Sequence, residues 1–300
     1  MNLNSSRSRG TIYALLAAFL FGASTPAAKH LLNGINPWLL AGVLYLASGI
    51  GLLILRLLIT YFQRDSKTAG LHGTDWKWLA FATCFGGLVA PVLLMAGLNR
   101  TDSATASLLL NLEGFFTAIL AWVLFKEPFS KQVLAGGLVI LAGGIIVSWT
   151  GIPSLIQFSG PILIIGACLG WALDNNFTNR IAASDALQIA MVKGLFSGIV
   201  NISIALKLGQ SLPPLSILAP TSLVGFLGYG VSLLFFVLAL RHIGAARSGT
   251  YFSLAPFVGA GVSVVSGMMP LNRQLLIGGL VMGIGVTILL MEKRKDVNLI

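Results

Sequence analysis

Ten apolar windows, each about the 20 residues a helix needs to cross a bilayer, follow one another almost without pause along the chain. They cover 11–32, 37–60, 76–98, 103–125, 132–150, 160–181, 186–207, 217–240, 247–268 and 274–291. Hydrocarbon offers no water to a backbone N–H or C=O, so each window must satisfy its own hydrogen bonds as a helix. Short polar turns such as NGINP, NRTDS, KEPFS and PLNR separate the windows. They leave no room for a soluble domain and make consecutive helices antiparallel hairpins. The first window lacks an A-x-A-like cleavage site and reads as a retained span, not a signal peptide. Composition agrees: 9% of residues are charged and 56% hydrophobic, against about 25% charged in soluble domains. The expected fold class is an all-α integral membrane protein of ten transmembrane helices.

Ten spans put both termini on one side. If that side is cytoplasmic, the inner Lys and Arg are Arg7, Arg9, Arg56, Arg64, Lys67, Lys77, Lys126, Lys131, Arg180, Arg241, Arg247, Lys293, Arg294 and Lys295. The outer ones are Lys29, Arg100, Lys207 and Arg273, with Lys193 inside span 7. This inward bias, 14 to 4, follows the positive-inside rule and places the chain in the inner (cytoplasmic) membrane, multi-pass, with both termini cytoplasmic. The net charge of +10 is therefore a topology signal and not a nucleic-acid footprint. Cys84 and Cys168 sit in apolar runs without a paired motif and read as small buried hydrophobes.

A shift of 142 residues aligns LNRTDSATASLLLNLEGFFTAILAWVLFKEPFSKQVLAGGLV with LRHIGAARSGTYFSLAPFVGAGVSVVSGMMPLNRQLLIGGLV. Matched positions include Gly86/Gly228, Phe115/Phe257, Pro128/Pro270, Gln132/Gln274 and Gly136/Gly278. Residues 1–150 and 151–300 thus read as two five-helix repeats within one transmembrane domain. Five is odd, so the second repeat is inverted, the architecture of secondary transporters that bind substrate near the bilayer midplane.

The five-plus-five pattern and FKEPFSKQVLAGGLVILAGGIIV at the end of the first half resemble the EamA-like family of the drug/metabolite transporter superfamily. The most specific piece is E-P-x-x-x-Q-x-x-x-G-G-x-x-I from Glu127 to Ile140. The second half departs from it, with Met269 where the family often repeats Glu, which favours a helix-junction role for Glu127. The resemblance implies a ten-helix bundle whose central cavity alternates access and moves small metabolites or drugs, often outward.

Polar residues inside the spans are functional candidates, because a charge at the bilayer centre costs at least about 2.5–3.5 kcal/mol. In WALDNNFTNR, starting at Trp171, a 100° step places Trp171, Asp174, Asn175, Thr178 and Asn179 on one arc of about 140°. That face suits a wet cavity, or else a polar helix contact. Asn176 and Arg180 point elsewhere, Arg180 near enough to the inner end to snorkel. Asp174 and Lys193 lie at matching depth in adjacent helices, so an ion pair is expected, either a static latch or part of a gate. Glu113 is mid-span, about 15 Å from either surface at 1.5 Å per residue. It is a candidate proton acceptor or amine partner, or a packing contact, and its repeat partner is Ala255. Asn111 projects away from it, towards a helix–helix contact. Lys29 reads as an interfacial cap or an outer-gate contact for an anion, and Tyr229 and Tyr251 as cavity-lining or packing aromatics.

These residues favour a secondary transporter, an exporter, of a small polar metabolite such as an amino acid or related amine, possible proton coupling running through Glu113. Mixed charge signs suit a zwitterion. A lipid-linked-sugar flippase or multidrug exporter is the alternative. No GK[ST] loop for ATP occurs, and two lone cysteines and three scattered histidines build neither a metal site nor an active site. The expected partners are a small-molecule substrate and the lipid bilayer, with no nucleic acid and no cofactor. The glycine-rich fifth and tenth helices could pack within the monomer or make a homodimer.

Overall fold

In the computed structural model the described residues are 3–62, 70–127, 130–149, 155–181 and 184–291. Arg64, Lys67, Pro128, Lys293, Arg294 and Lys295, used above, lie outside them. The described residues are helical, with no strand among them. The helices are α1 (Leu3–Leu31), α2 (Pro37–Phe62), α3 (Asp75–Arg100), α4 (Ser103–Phe125), α5 (Lys131–Ser148), α6 (Leu155–Asn179), α7 (Ala186–Lys207), α8 (215–252), α9 (Ala255–Val265) and α10 (Arg273–Leu290). Eight stretches, α1 to α7 and Leu215–Phe236 of α8, are long and apolar enough to cross a membrane, while α9 and α10 are shorter apolar helices. The chain is thus a multi-pass membrane protein.

The polar turns stop and restart helices as their chemistry dictates. Asp102, Ser130, Asp185 and Asn272 each accept a backbone N–H of the following first turn, satisfying donors that the helix itself leaves orphaned. Lys126 ends α4 at φ 56°, with Glu127 N donating to Ala121 O. Glu127 therefore sits at a helix junction.

Three places depart from uninterrupted spans. Around Leu110 and Asn111, α4 breaks, and Asn111 Nδ2 donates to Leu108 O at 2.9 Å; its partner is its own helix, not a neighbour. Within α3 and α8, Thr83–Val89 and Gly225–Val231 are π-helical. Around the expected turn at 241–247 helical hydrogen bonding continues, over Ser232–Phe252; RHIGAARSG holds neither Pro nor an Asx cap to stop it. Yet Phe236 and Phe252 approach with ring centroids 4.8 Å apart. Sixteen residues of straight helix would separate them by about 24 Å, so the chain doubles back within this helical stretch.

Helices α1, α2, α3 and α5 run antiparallel to α8, α7, α6 and α10, as side-by-side contacts show: Ser232 with Ala17, Gly49 with Gly194, Gly97 with Ile164, Gly143 with Gly278. The α5–α10 contact is glycine on backbone. A Cβ at Gly136 would lie 2.8 Å from Gly285 O, and one at Gly285 2.7 Å from Gly136 O, so the helices meet at a distance only glycine permits. These glycines are used within the monomer.

The core is lopsided. Leu39, Leu40, Leu44, Leu94, Met95, Leu98 and Ile164 are fully buried and pack the end of the bundle where α1 finishes. At the opposite end, where α1 starts, a smaller cluster of Leu71, Leu79, Ile181 and Ile189 is buried. Outward, Phe19, Leu57, Val123, Ile145, Ile199 and Leu280 are exposed, an apolar girdle suited to lipid.

Candidate functional site

A cavity of about 550 Å³ occupies the half of the bundle left open by that core. Its walls come from α1, α2, α4, α6, α7 and α8.

The π-helical turn of α3 organises one wall. A wider turn removes carbonyls from the regular ladder, and buried carbonyls must find other donors. Gly86 O accepts from Tyr45 Oη at 2.9 Å and Trp171 Nε1 at 3.0 Å. Gly87 O accepts from Asn201 Nδ2 at 3.1 Å, and Asn201 Oδ1 accepts from Trp38 Nε1 at 3.2 Å. Helices α2, α6 and α7 are thereby pinned to α3 through its loosened backbone.

Asp174 packs on Gly86 so closely that a Cβ there would collide with its carboxylate. Lys193 Nζ lies 2.5 and 2.6 Å from the two carboxylate oxygens, and Thr178 Oγ1 donates to Oδ1 at 2.8 Å. Asp174 is buried, so the expected ion pair forms with both charges largely withdrawn from water, where the partner offsets a large desolvation cost.

Glu113 starts the second segment of α4 and faces the same cavity. Asn175 Nδ2 donates to its Oε1 at 2.8 Å and lies 3.4 Å from Thr117 Oγ1. Asn176, about 100° further round α6, donates to Thr117 O at 3.0 Å and Ala172 O at 2.8 Å. It fastens α6 to α4 outside the cavity. Arg180 stacks on Phe125, its Cζ 4.2 Å from the ring centroid.

The structure brings Glu113, Trp171, Asp174, Asn175, Thr178, Lys193 and Tyr229 together around one cavity. Lys29 and Tyr251 stand apart from it. Lys29 Nζ donates to Leu98 O at 2.7 Å and Asn99 O at 3.4 Å, capping the end of α3. Tyr251 faces an apolar groove beside α9 and α10, with Leu254, Phe257 and Leu276. Asn179 does not line the cavity. Phe21, Tyr45, Ser48, Phe236 and Phe252 do, and sequence reasoning passed over them. For Tyr45 and Ser48 a signal existed: two polar groups three residues apart in an apolar helix share a face. The phenylalanines carried none.

Among the described residues no group of three or more His, Cys, Asp and Glu could hold a metal ion.

The profile of the EamA-like transporter family matches residues 8–149 and 158–291. An uncharacterized transporter of Methanothermobacter thermautotrophicus is 28% identical over 293 residues, covering 93% of this chain and 85% of its own length. The uncharacterized transporter YyaM of Bacillus subtilis is 23% identical over 92% of each chain. One protein solved as a crystal structure superposes with a TM-score of 0.68 over 94% of this chain and 96% of its own, at 16% identity, a likeness of fold.

Proposed function

The chain belongs to the EamA-like transporter family, and from that premise we propose that it is a secondary transporter working by alternating access on a small polar metabolite, an amino acid or related amine. In this reading α9 and α10 also cross the membrane, making ten spans in two inverted repeats.

Local geometry supports the repeat. The two π-helical turns, Thr83–Val89 and Gly225–Val231, stand 142 residues apart, as do the N-caps Ser130 and Asn272. Helices α5 and α10 have 18 residues each. Their glycine contacts, Gly136 with Gly285 and Gly143 with Gly278, exchange under the same offset, as a two-fold axis in the membrane plane requires.

The observation that carries the reading is the lopsided bundle: open cavity at one end, packed core at the other. With the termini cytoplasmic, as the Lys and Arg distribution favours, the cavity opens inward in the inner membrane. A substrate would enter from the cytoplasm and leave after the core end loosens and the cavity end closes. Glu113 would hold either a proton or the substrate's amine, which couples release to protonation.

Two-sided thiol labelling tests this without a ligand. Leu233 lines the cavity and is 37% exposed. Leu233→Cys, in a Cys84→Ser, Cys168→Ala background, should react with a membrane-impermeant maleimide in both inside-out and right-side-out vesicles. Reaction from one side alone would overturn alternating access.

A further inference from the structure

The charges of the cavity do not balance in the way a zwitterion needs. Of the lining residues, Glu113, Asp174 and Lys193 carry formal charge. The Lys193 ammonium is held by both oxygens of Asp174, so that pair is spent on itself. Glu113 has one neutral donor, Asn175, and no ion pair of its own among the described residues. The cavity therefore presents one uncompensated carboxylate. Among the described residues a substrate carboxylate would find no unpaired cation to meet it, and would face the Glu113 carboxylate.

Aromatic side chains make up much of the remaining lining, beside the neutral polar Ser48, Ser184 and Ser232. Phe21, Tyr45, Trp171, Tyr229, Phe236 and Phe252 all line this cavity. They form a connected set, with Phe21 5.9 Å from Tyr229, 6.3 Å from Trp171 and 5.5 Å from Phe252, and Tyr45 5.5 Å from Tyr229. The Trp171 indole N–H is committed to Gly86 O and Tyr45 Oη, so its ring is held in place and offers only its π face and edge. Asn175, which positions Glu113, stands one helical turn from Trp171. Carboxylate and aromatic walls thus belong to the same wall of the cavity. Rings attract a desolvated cation through the negative potential above their faces, and they repel an anion.

From these two features we infer that the cavity selects an organic monocation, an alkyl- or aryl-ammonium compound with a compact apolar body, over zwitterions and anions. The inference rests on the transporter reading and narrows its substrate from amino acid or amine to the amine. The ammonium group pairs with Glu113 and the body lies among the rings. The volume, about 550 Å³, falls within the ~300–1,000 Å³ of small-molecule pockets.

The test is a thermal-shift and calorimetric titration of the purified full chain with four probes of similar size: 2-phenylethyltrimethylammonium, L-phenylalanine, 3-phenylpropanoate and 2-phenylethanol. The quaternary ammonium should bind at least tenfold more tightly than the other three. Glu113→Gln should weaken it at least tenfold, and Trp171→Leu several-fold. The ranking in the wild-type protein needs no variant to fold. Phenylalanine or phenylpropanoate equalling the cation, an undiminished affinity in Glu113→Gln, or binding by no probe would each overturn the proposal. Thiol labelling at position 233 separates the two readings. Two-sided labelling with a failed ranking leaves a transporter of another substrate class, and one-sided labelling with the expected ranking leaves a cation site without alternating access.

Discussion

Lys193 reaches across from α7 to hold both carboxylate oxygens of Asp174 on α6, at 2.5 and 2.6 Å. The bond joins helices that follow one another in the chain, and Thr178, one turn beyond Asp174, adds a third contact. Removing one partner leaves the other charge buried, at a cost of about 3–5 kcal/mol. Asp174→Asn and Lys193→Met should each lower the thermal midpoint sharply. The double variant should lose far less than the sum, because neither charge is then stranded. Additive losses would show that the two side chains act independently.

Gly86→Ala places a methyl group on the Asp174 carboxylate. Overpacking of this kind typically costs about 1–3 kcal/mol. The loss should shrink when Asp174→Gly and Lys193→Met are already present, since the carboxylate and the Cβ that obstruct the methyl are then both gone. An equal loss in both backgrounds would assign the damage to the π-helical backbone instead.

Gly136→Ala and Gly285→Ala push apart α5 and α10 at the same point, since each new methyl meets the other residue's carbonyl. Each should lower resistance to unfolding by about 1–3 kcal/mol. Gly114→Ala, where an added Cβ meets nothing within 4 Å, serves as the control and should leave the midpoint within about 0.5 kcal/mol of wild type. Detergent-denaturation midpoints measure all three.

Lys29→Met removes a cap on α3 and nothing from the cavity. A cation at a helix C-terminus contributes about 0.3–1 kcal/mol, so stability should fall by no more than that. Affinity for any cavity ligand should stay within twofold in a titration. A larger change in affinity would return Lys29 to the substrate path.

Much of the site was written in the periodicity of α6. The arc from Trp171 to Thr178 and the matching depth of Asp174 and Lys193 follow from 100° per residue and 1.5 Å rise, so helical geometry alone brought them together. Lys29 and Tyr251 had no such register to be checked against, and both stand outside the cavity. Phe21 and Phe252 were illegible for the opposite reason: an apolar side chain in a membrane helix looks the same whether it faces lipid, a neighbour or a cavity. The π-helical turns were also hidden. TCFGGLV and GFLGYGV contain glycine but no Pro, and a turn one residue wider than usual leaves no mark on hydropathy. The reversal near 241–247 was legible from two basic residues, Arg241 and Arg247, but the helical hydrogen bonding that carries through it was not. Charge reports which side of the membrane a residue reaches, not whether its backbone is helical.

The paired π-helical turns also bear on age. Each holds a residue more per turn than the helix around it, and each stands at the same place in its half of the chain. If the halves descend from a single five-helix ancestor, one insertion before the duplication accounts for both, where two later insertions would have to coincide. The widened turn would then predate what now distinguishes the halves. In one copy it came to gather Tyr45 and Trp171 on the Gly86 carbonyl, while in the other Gly228 came to rest against Ser24. A carboxylate at position 113 opposite Ala255 marks where the halves have diverged. On that account the bend is common property of both halves, while the carboxylate belongs to one side only.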